Sequence, residues 1–196
     1  TMGEDMELVV KLHEFCREHN YKYRIRYATD AVCWTQAPER LGDLCKQRRR
    51  WHIGLFQSMT RHRKLLANPK YGLVGTVSYI YFLIYELFSP YIEIFGVVTM
   101  VLASFVDLLN IPFMILFMLI YIVYSAILSL TAFFARIHTI DLKLKFTDVL
   151  KAILLCILEV SCLRFMLAFV RAKALIGYKK KKHSWGRIER KKIEIN

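Results

Sequence analysis

The sequence predicts a short α/β region, then an interfacial helix, then an all-α transmembrane bundle of about four helices. Hydrophobic residues make up 56% of the 196 residues and the mean hydropathy is +0.32, which argues against an ordinary soluble domain. The apolar residues concentrate between residues 73 and 170. The formal charge is +6 before that block and +8 after it, against −1 within it.

The region before the apolar block changes its hydrophobic period along the chain. Apolar residues recur at helical spacing over residues 8–16, which predicts an amphipathic helix that begins just after Glu4 and Asp5. Residues 21–27 alternate tyrosine or isoleucine with lysine or arginine, and residues 31–34 read as a second short strand. Together these segments predict the α/β character of the first region.

A second helical pattern begins at Glu39 and runs through the basic and aromatic cluster of residues 47–51. We expect this helix to lie along the membrane interface. The predicted organisation is an α/β region at 1–38, the interfacial helices at 39–72, transmembrane helices at 73–170 and a basic cytosolic tail at 171–196.

Four apolar segments in the block are each near the roughly 17–25 residues that cross a bilayer. They are residues 73–89, 91–109, 112–134 and 149–170. Only Ser89-Pro90 separates the first two, so two passes with a tight turn and one long kinked element both remain open. The positive-inside rule favours an even number of crossings, since it places residues 61–70 and 179–182 together in the cytosol. We therefore expect a multi-pass protein of the inner or plasma membrane.

The five cysteines form no CxxC pair, so neither a zinc site nor a disulfide framework is indicated, and the soluble part is expected to be cytosolic. The chain opens at Thr1 within a polar motif, and we interpret it as a fragment of a longer protein.

Five residues before the apolar block suit the transfer of a sugar from a nucleotide diphosphate to a hydroxyl group. Asp5, with Glu4 beside it, could act as the general base for the attacking hydroxyl. Gln47, Arg50 and Trp51 lie at i, i+3 and i+4 and share one helix face. The Arg50 guanidinium suits a diphosphate, the Trp51 ring offers a platform for a pyranose, and Gln47 can bond hydroxyls or phosphate. Arg48 and Arg49 point elsewhere, and we expect headgroup or structural contacts from them.

These motifs carry a resemblance to a known family. The segments Thr1-Met2-Gly3-Glu4-Asp5 and Gln47-Arg48-Arg49-Arg50-Trp51 resemble the (T/G)-E-D and Q-x-x-R-W motifs of processive family-2 glycosyltransferases, which include cellulose, hyaluronan and poly-β-1,6-N-acetylglucosamine synthases. The order of elements fits over essentially the whole chain. Residues 88–93 and 184–190 are similar to the bacterial poly-N-acetylglucosamine-type branch.

The resemblance implies that residues 1–38 are the C-terminal part of a glycosyltransferase-A-type domain in an inverting enzyme. It implies a UDP-sugar donor, a growing polysaccharide or glycolipid acceptor, contact with membrane lipids and an export partner for the product. It also implies a divalent metal, Mg²⁺ or Mn²⁺. No DxD motif and no histidine ligand spacing occur here, so we expect no metal site in this chain and place the ligands in a missing N-terminal part, without which the fragment would be inactive.

The basic tail carries a further hypothesis. Trp185 and Arg187 resemble the tryptophan-bearing gating loops of hyaluronan synthases and could cap the bound UDP-sugar. The alternative is that residues 179–192 only hold anionic lipid headgroups.

Other readings of the chain remain open. Acidic residues in or beside the apolar helices could line a sugar path or could pair with Arg164, Lys151 or backbone groups. The protein could be a non-processive transferase that acts on a lipid or short acceptor, or a non-catalytic membrane subunit or transporter. Nucleic-acid binding is not expected, because aromatic residues do not interleave with the basic ones.

Overall fold

Every regular element in the described part of the chain is helical. The structure is a computed structural model that describes residues 1–26, 28, 31, 33, 35–140, 145–176 and 178. Helix α1 is Glu4–Glu18 and helix α2 is Leu41–Arg61. Two short 3₁₀ turns, Arg63–Leu65 and Pro69–Tyr71, lead into the apolar block.

Helix α3, Val74–Phe105, contains two π-helical segments, Val74–Ser78 and Phe82–Phe88. Helix α4 is Ile111–Ile140 and helix α5 is Phe146–Leu158. A π-helical segment, Glu159–Leu163, then leads into helix α6, Arg164–Ala174. The chain divides into two compact units, of which the first comprises residues 1–90 with the described residues from 170 onward, and the second comprises residues 91–169.

The predicted α/β fold class is wrong for the described residues, which contain no strand and no sheet. Residues 21–26 have no regular structure, and parts of both predicted strands lie outside the described residues. The tyrosines of the alternating pattern pack against α1 instead. The Tyr23 hydroxyl lies 2.6 Å from Nδ1 of His13, and the Tyr21 ring stacks on His19. A β-strand needs a neighbouring strand whose backbone N–H and C=O groups pair with its own. The described residues contain no such strand pair.

The predicted bundle of about four transmembrane helices is also corrected. Two described helices are long and apolar enough to cross a membrane, Val74–Phe105 and Ile111–Ala135. Most of the segments 73–89 and 91–109 lies in the single helix α3, Val74–Phe105, which matches the alternative of one long element at Ser89-Pro90. Many large apolar side chains of these helices are exposed, which favours membrane association over burial in a soluble core.

The core of the first unit forms where the end of α2 meets the following turns and the start of α3. Its buried side chains are Leu55, Met59, Leu65, Tyr71, Tyr79 and Leu87. The Tyr79 hydroxyl donates a hydrogen bond of 2.6 Å to the carbonyl of Met59, so the one polar group of this ring is satisfied. This packing fixes the C-terminal half of α2.

In the second unit, α4 contacts α5 and the π-helical segment that follows it. Arg164 donates to Oε1 of Glu93 at 3.1 Å, and its guanidinium lies over the Tyr121 ring at 5.4 Å from the centroid. The sequence left open whether acidic residues near the apolar helices line a sugar path or pair with basic groups. Glu93 pairs with Arg164.

Candidate active site

The start of α1 packs directly on the backbone of α2. A methyl group added to Cα of Gly54 would lie only 2.7 Å from the nitrogen of Gly3 and 3.0 Å from its Cα. Next to this contact, the amide of Met2 donates a hydrogen bond of 2.8 Å to Oε1 of Gln57. Two main chains approach this closely only where a side chain is absent, so glycine is required at residue 54.

Gly54 belongs to a stripe along one face of α2. Successive steps of three and four residues place Gln47, Arg50, Gly54, Gln57 and Arg61 on the same side of the helix. Arg50 precedes Gly54 by four residues, which corresponds to about 6 Å along the helix axis. The beginning of α1 therefore meets the α2 face that bears two of the three predicted substrate-binding residues.

Glu4 and Asp5 occupy the first turn of α1, directly after the Gly3 contact, and both are exposed. Oδ1 of Asp5 accepts a hydrogen bond of 2.8 Å from the amide of Met6. A carboxylate at a helix N-terminus is favoured by the helix dipole. Asp5 is thus held at a helix start while its side chain stays open to solvent.

Trp51 adjoins this stripe, and its side chain is 46% exposed. The guanidinium of Arg48 lies over the indole ring, 4.8 Å from its centroid. The expectation that Arg48 points away from the predicted substrate residues misses this contact. The i, i+3 spacing of an arginine and a tryptophan was the signal that could have revealed it.

The face of α2 behind Trp51 is buried. His52 and Ile53 are both almost fully covered by protein. Burial, assisted by the positive charge of Arg171, lowers the pKa of His52 to about 4, so the imidazole is neutral at pH 7. Trp51 is therefore exposed, whereas the two residues that follow it, His52 and Ile53, are buried and hold α2 in place.

A group of ion pairs holds the rest of α1 against the end of α2. Glu7 pairs with Arg61, and Glu14 pairs with Lys64 and also contacts Nδ1 of His62, whose pKa is lowered by burial. Lys64 lies 2.6 Å from Glu18. The acidic side of α1 therefore packs inward, while the apolar side of its amphipathic pattern is exposed, as at Leu8 with 58% exposure. Opposite charges at the facing surfaces account for this orientation.

We expect Glu7→Gln to lower the thermal unfolding midpoint at pH 7. Burial opposes ionisation of Glu7, but hydrogen bonds from Thr1 and Arg61 outweigh it and lower its pKa to about 2. A depressed carboxyl pKa contributes stability above the unfolded-state value, near 4.5, and that contribution is lost as the pH falls toward 2. Loss of the charged pair should cost about 1–3 kcal/mol at pH 7.

The measurement is thermal unfolding in detergent of wild type and Glu7→Gln at pH 7 and pH 3. The difference should shrink at the lower pH. Asp43→Asn is the control, because Asp43 forms an exposed pair with Lys46 that should contribute little. An equal difference at both pH values would contradict the role of the Glu7 charge.

The divalent metal implied by the resemblance does not fit the described residues. Among them, no group of three or more His, Cys, Asp or Glu side chains could hold a metal ion. No catalytic step is therefore derived through a metal here. Trp185 and Arg187, predicted to gate the site, lie outside the described residues.

Comparison with known proteins identifies the family. Residues 1–137 match the family described as Glycosyl transferase family group 2. The match covers both the acidic motif and the Gln47–Trp51 cluster, and the chain belongs to this family. It is a glycosyltransferase sequence, and its family implies a sugar donor and an acceptor. None of the curated proteins and none of the solved structures matches the chain.

Proposed function

We propose that this chain belongs to a membrane-embedded, inverting glycosyltransferase that moves a sugar from a UDP-sugar to a growing polysaccharide. The observation that carries the proposal is the contact of Gly3 with Gly54. It sets the helix start that bears Asp5 against the α2 face that bears Gln47 and Arg50. A base and a diphosphate-binding face are needed on the two sides of a reacting sugar.

In the proposed reaction, the Asp5 carboxylate accepts the proton of an acceptor hydroxyl. The hydroxyl oxygen forms a bond to the anomeric carbon as the bond from that carbon to the UDP oxygen breaks. The electron pair leaves with the diphosphate, whose growing negative charge Arg50 stabilises through charge-assisted hydrogen bonds. Asp5 is suited to this role because it is exposed at the start of a helix.

The neighbouring residues have separate roles in the proposal. The exposed Trp51 ring supports the acceptor sugar through its flat apolar face, and Arg48 beneath or above that ring fixes its orientation. Gln47 bonds sugar hydroxyls or phosphate. Glu4, beside Asp5, adds negative charge at the acceptor side.

Processive synthesis and passage of the product through the membrane are part of the proposal. The two long apolar helices that follow the candidate residues in the chain support this part of the proposal, since both are long and apolar enough to cross a membrane. We propose a cytosolic catalytic side in the inner or plasma membrane, and membership of the poly-N-acetylglucosamine-type branch. Trp185 and Arg187 remain the proposed cap over the nucleotide.

Arg50→Ala in the full-length protein is expected to lower kcat/KM for the UDP-sugar by roughly 10–100-fold, because a phosphate loses its charged hydrogen bonds. Arg49→Ala is the matched control, since it removes the same charge from the adjacent position outside the stripe. The measurement is incorporation of a labelled sugar, with the product length determined on the same samples.

Equal losses in Arg50→Ala and Arg49→Ala would contradict a specific role for the stripe. A product extended by one sugar would instead favour the non-processive transferase. If the full-length protein does not bind UDP at all by isothermal titration, a non-catalytic membrane subunit is the better description.

A further inference from the structure

Helix α3 changes from a π-helical segment to an α-helix at Ser89-Pro90. Glu86 lies in the π-helical segment, where a carbonyl accepts the amide five residues further on. Pro90 has no amide hydrogen, so regular backbone hydrogen bonding is interrupted close to the carbonyl of Glu86. Pro90 is fully buried, and it directly follows the π-helical segment Phe82–Phe88 and Ser89.

Arg171 supplies a donor to this carbonyl. Its Nη2 lies 2.6 Å from the main-chain oxygen of Glu86 and 3.7 Å from the Oε2 atom of the same residue. The shorter distance is to the carbonyl. The contact is therefore a charge-assisted hydrogen bond to the backbone first and an ion pair second.

Helix α6, which contains Arg171, also reaches the place where the start of α1 packs on α2. Ala174, one turn after Arg171, is 1% exposed and packs with Met2 and Ile53. Tyr178 contacts Phe56 of α2 edge to face, with ring centroids 5.3 Å apart. Met2 adjoins Gly3, and Ile53 lies between His52 and Gly54. The end of α6, at Ala174, thus contacts both sides of the Gly3–Gly54 contact.

We propose that Arg171 is a positioning residue of the transferase: its bond to the Glu86 carbonyl holds the end of α6, so that Ala174 and the nearby Tyr178 keep the start of α1 packed against α2. Arg171 acts through Ala174 and the Gly3–Gly54 joint, and it touches no substrate. The proposal rests on the proposed function, since the geometry being held is that of Asp5 against Arg50.

Arg171→Ala is expected to lower kcat/KM for the UDP-sugar by about 10–100-fold, because small displacements of reacting groups are costly. Arg171→Lys should recover most of this loss, since a lysine can still donate to the carbonyl. Glu86→Gln should remain near wild type, because it keeps the carbonyl. Lys173→Ala is the control for loss of one positive charge from the same helix.

A double-mutant cycle with Tyr178→Ala tests the cause directly. Arg171 is proposed to act through the residues that contact α2, so Arg171→Ala should cost several-fold less where the contact of Tyr178 with Phe56 is already lost. If Arg171→Ala does not accumulate, Arg171→Gln takes its place in the cycle. Independent, multiplicative effects of the two substitutions would overturn the proposal.

A readout without activity uses the full-length protein with Phe56→Cys and Tyr178→Cys and a short thiol cross-linker. Cross-linking between residues 56 and 178 should slow several-fold when Arg171→Ala is added, and should be unaffected by Lys173→Ala. Unchanged cross-linking overturns the proposal. Full activity of Arg50→Ala would defeat the proposed function itself, whereas an inactive Arg50→Ala beside a fully active Arg171→Ala would defeat only the role of Arg171.

Discussion

Asp5→Asn is expected to reduce sugar transfer by about 10²–10⁴-fold, because in the proposed reaction the acceptor hydroxyl loses the group that takes its proton. The substitution is nearly isosteric. The asparagine carbonyl can still accept the hydrogen bond that Oδ1 of Asp5 accepts from the Met6 amide, at 2.8 Å. Helix α1 should therefore begin where it does in the wild type, and the loss should reflect chemistry.

The measurement is incorporation from a labelled UDP-sugar by the full-length protein at saturating donor. UDP binding should change little, since the proposed role of Asp5 concerns the acceptor. Asp43→Asn, a carboxylate change on α2 outside the site, should leave turnover near wild type. Near-normal polymer yield from Asp5→Asn would reject Asp5 as the base.

Gly54→Ala is expected to lower both stability and turnover, although alanine normally stabilises a helix relative to glycine. The added methyl group would lie 2.7 Å from the Gly3 nitrogen and 3.0 Å from the carbonyl carbon of Met2. These are backbone atoms, so the start of α1 must move away. Overpacking of this kind costs about 1–3 kcal/mol, and a displaced Asp5 could cost up to about 100-fold in kcat/KM.

Gly42→Ala is the matched control on the same helix. An added methyl group at Gly42 meets nothing within 4 Å, so this change should be neutral or should stabilise α2 by up to about 1 kcal/mol. Thermal unfolding and turnover of the two variants should therefore change in opposite directions or differ clearly in size. Equal behaviour of Gly54→Ala and Gly42→Ala would contradict a tight joint at Gly54.

The two helices that form the candidate site were predictable from the sequence. The helical spacing after Glu4 and Asp5 predicts α1, and the pattern from Glu39 predicts α2; both are confirmed. These signals are local, since they depend only on residues one or two turns apart. The Gln47–Trp51 face follows from the same spacing.

The strand prediction was wrong because an alternating pattern of apolar and polar residues is not enough to form a strand. A strand also needs a partner for its backbone groups, and the sequence of residues 21–26 does not state whether one is present. At Ser89-Pro90 the sequence left two passes and one long kinked element open, and the structure has one helix there, α3. Arg171, far along the chain, donates to the Glu86 carbonyl one turn before Pro90, and the local sequence does not reveal that contact.

The joint itself could not be read from the sequence. Gly54 looks like an ordinary helix glycine until Gly3 is seen against it. The inward acidic side of α1 is equally non-local, because Glu7 and Glu14 are buried by Arg61 and His62. Hydrophobic patterning favours the opposite side of that helix.

The contact between Gly3 and Gly54 also bears on how such an enzyme could diversify. The spacing between the acidic motif and the arginine face is fixed by two main chains, which carry no specificity of their own. Exchange of Gln47 or Trp51 could then change which sugar is accepted without rebuilding the joint. The position of the proposed catalytic groups would depend on the backbone contact, and the choice of substrate would depend on the side chains around it.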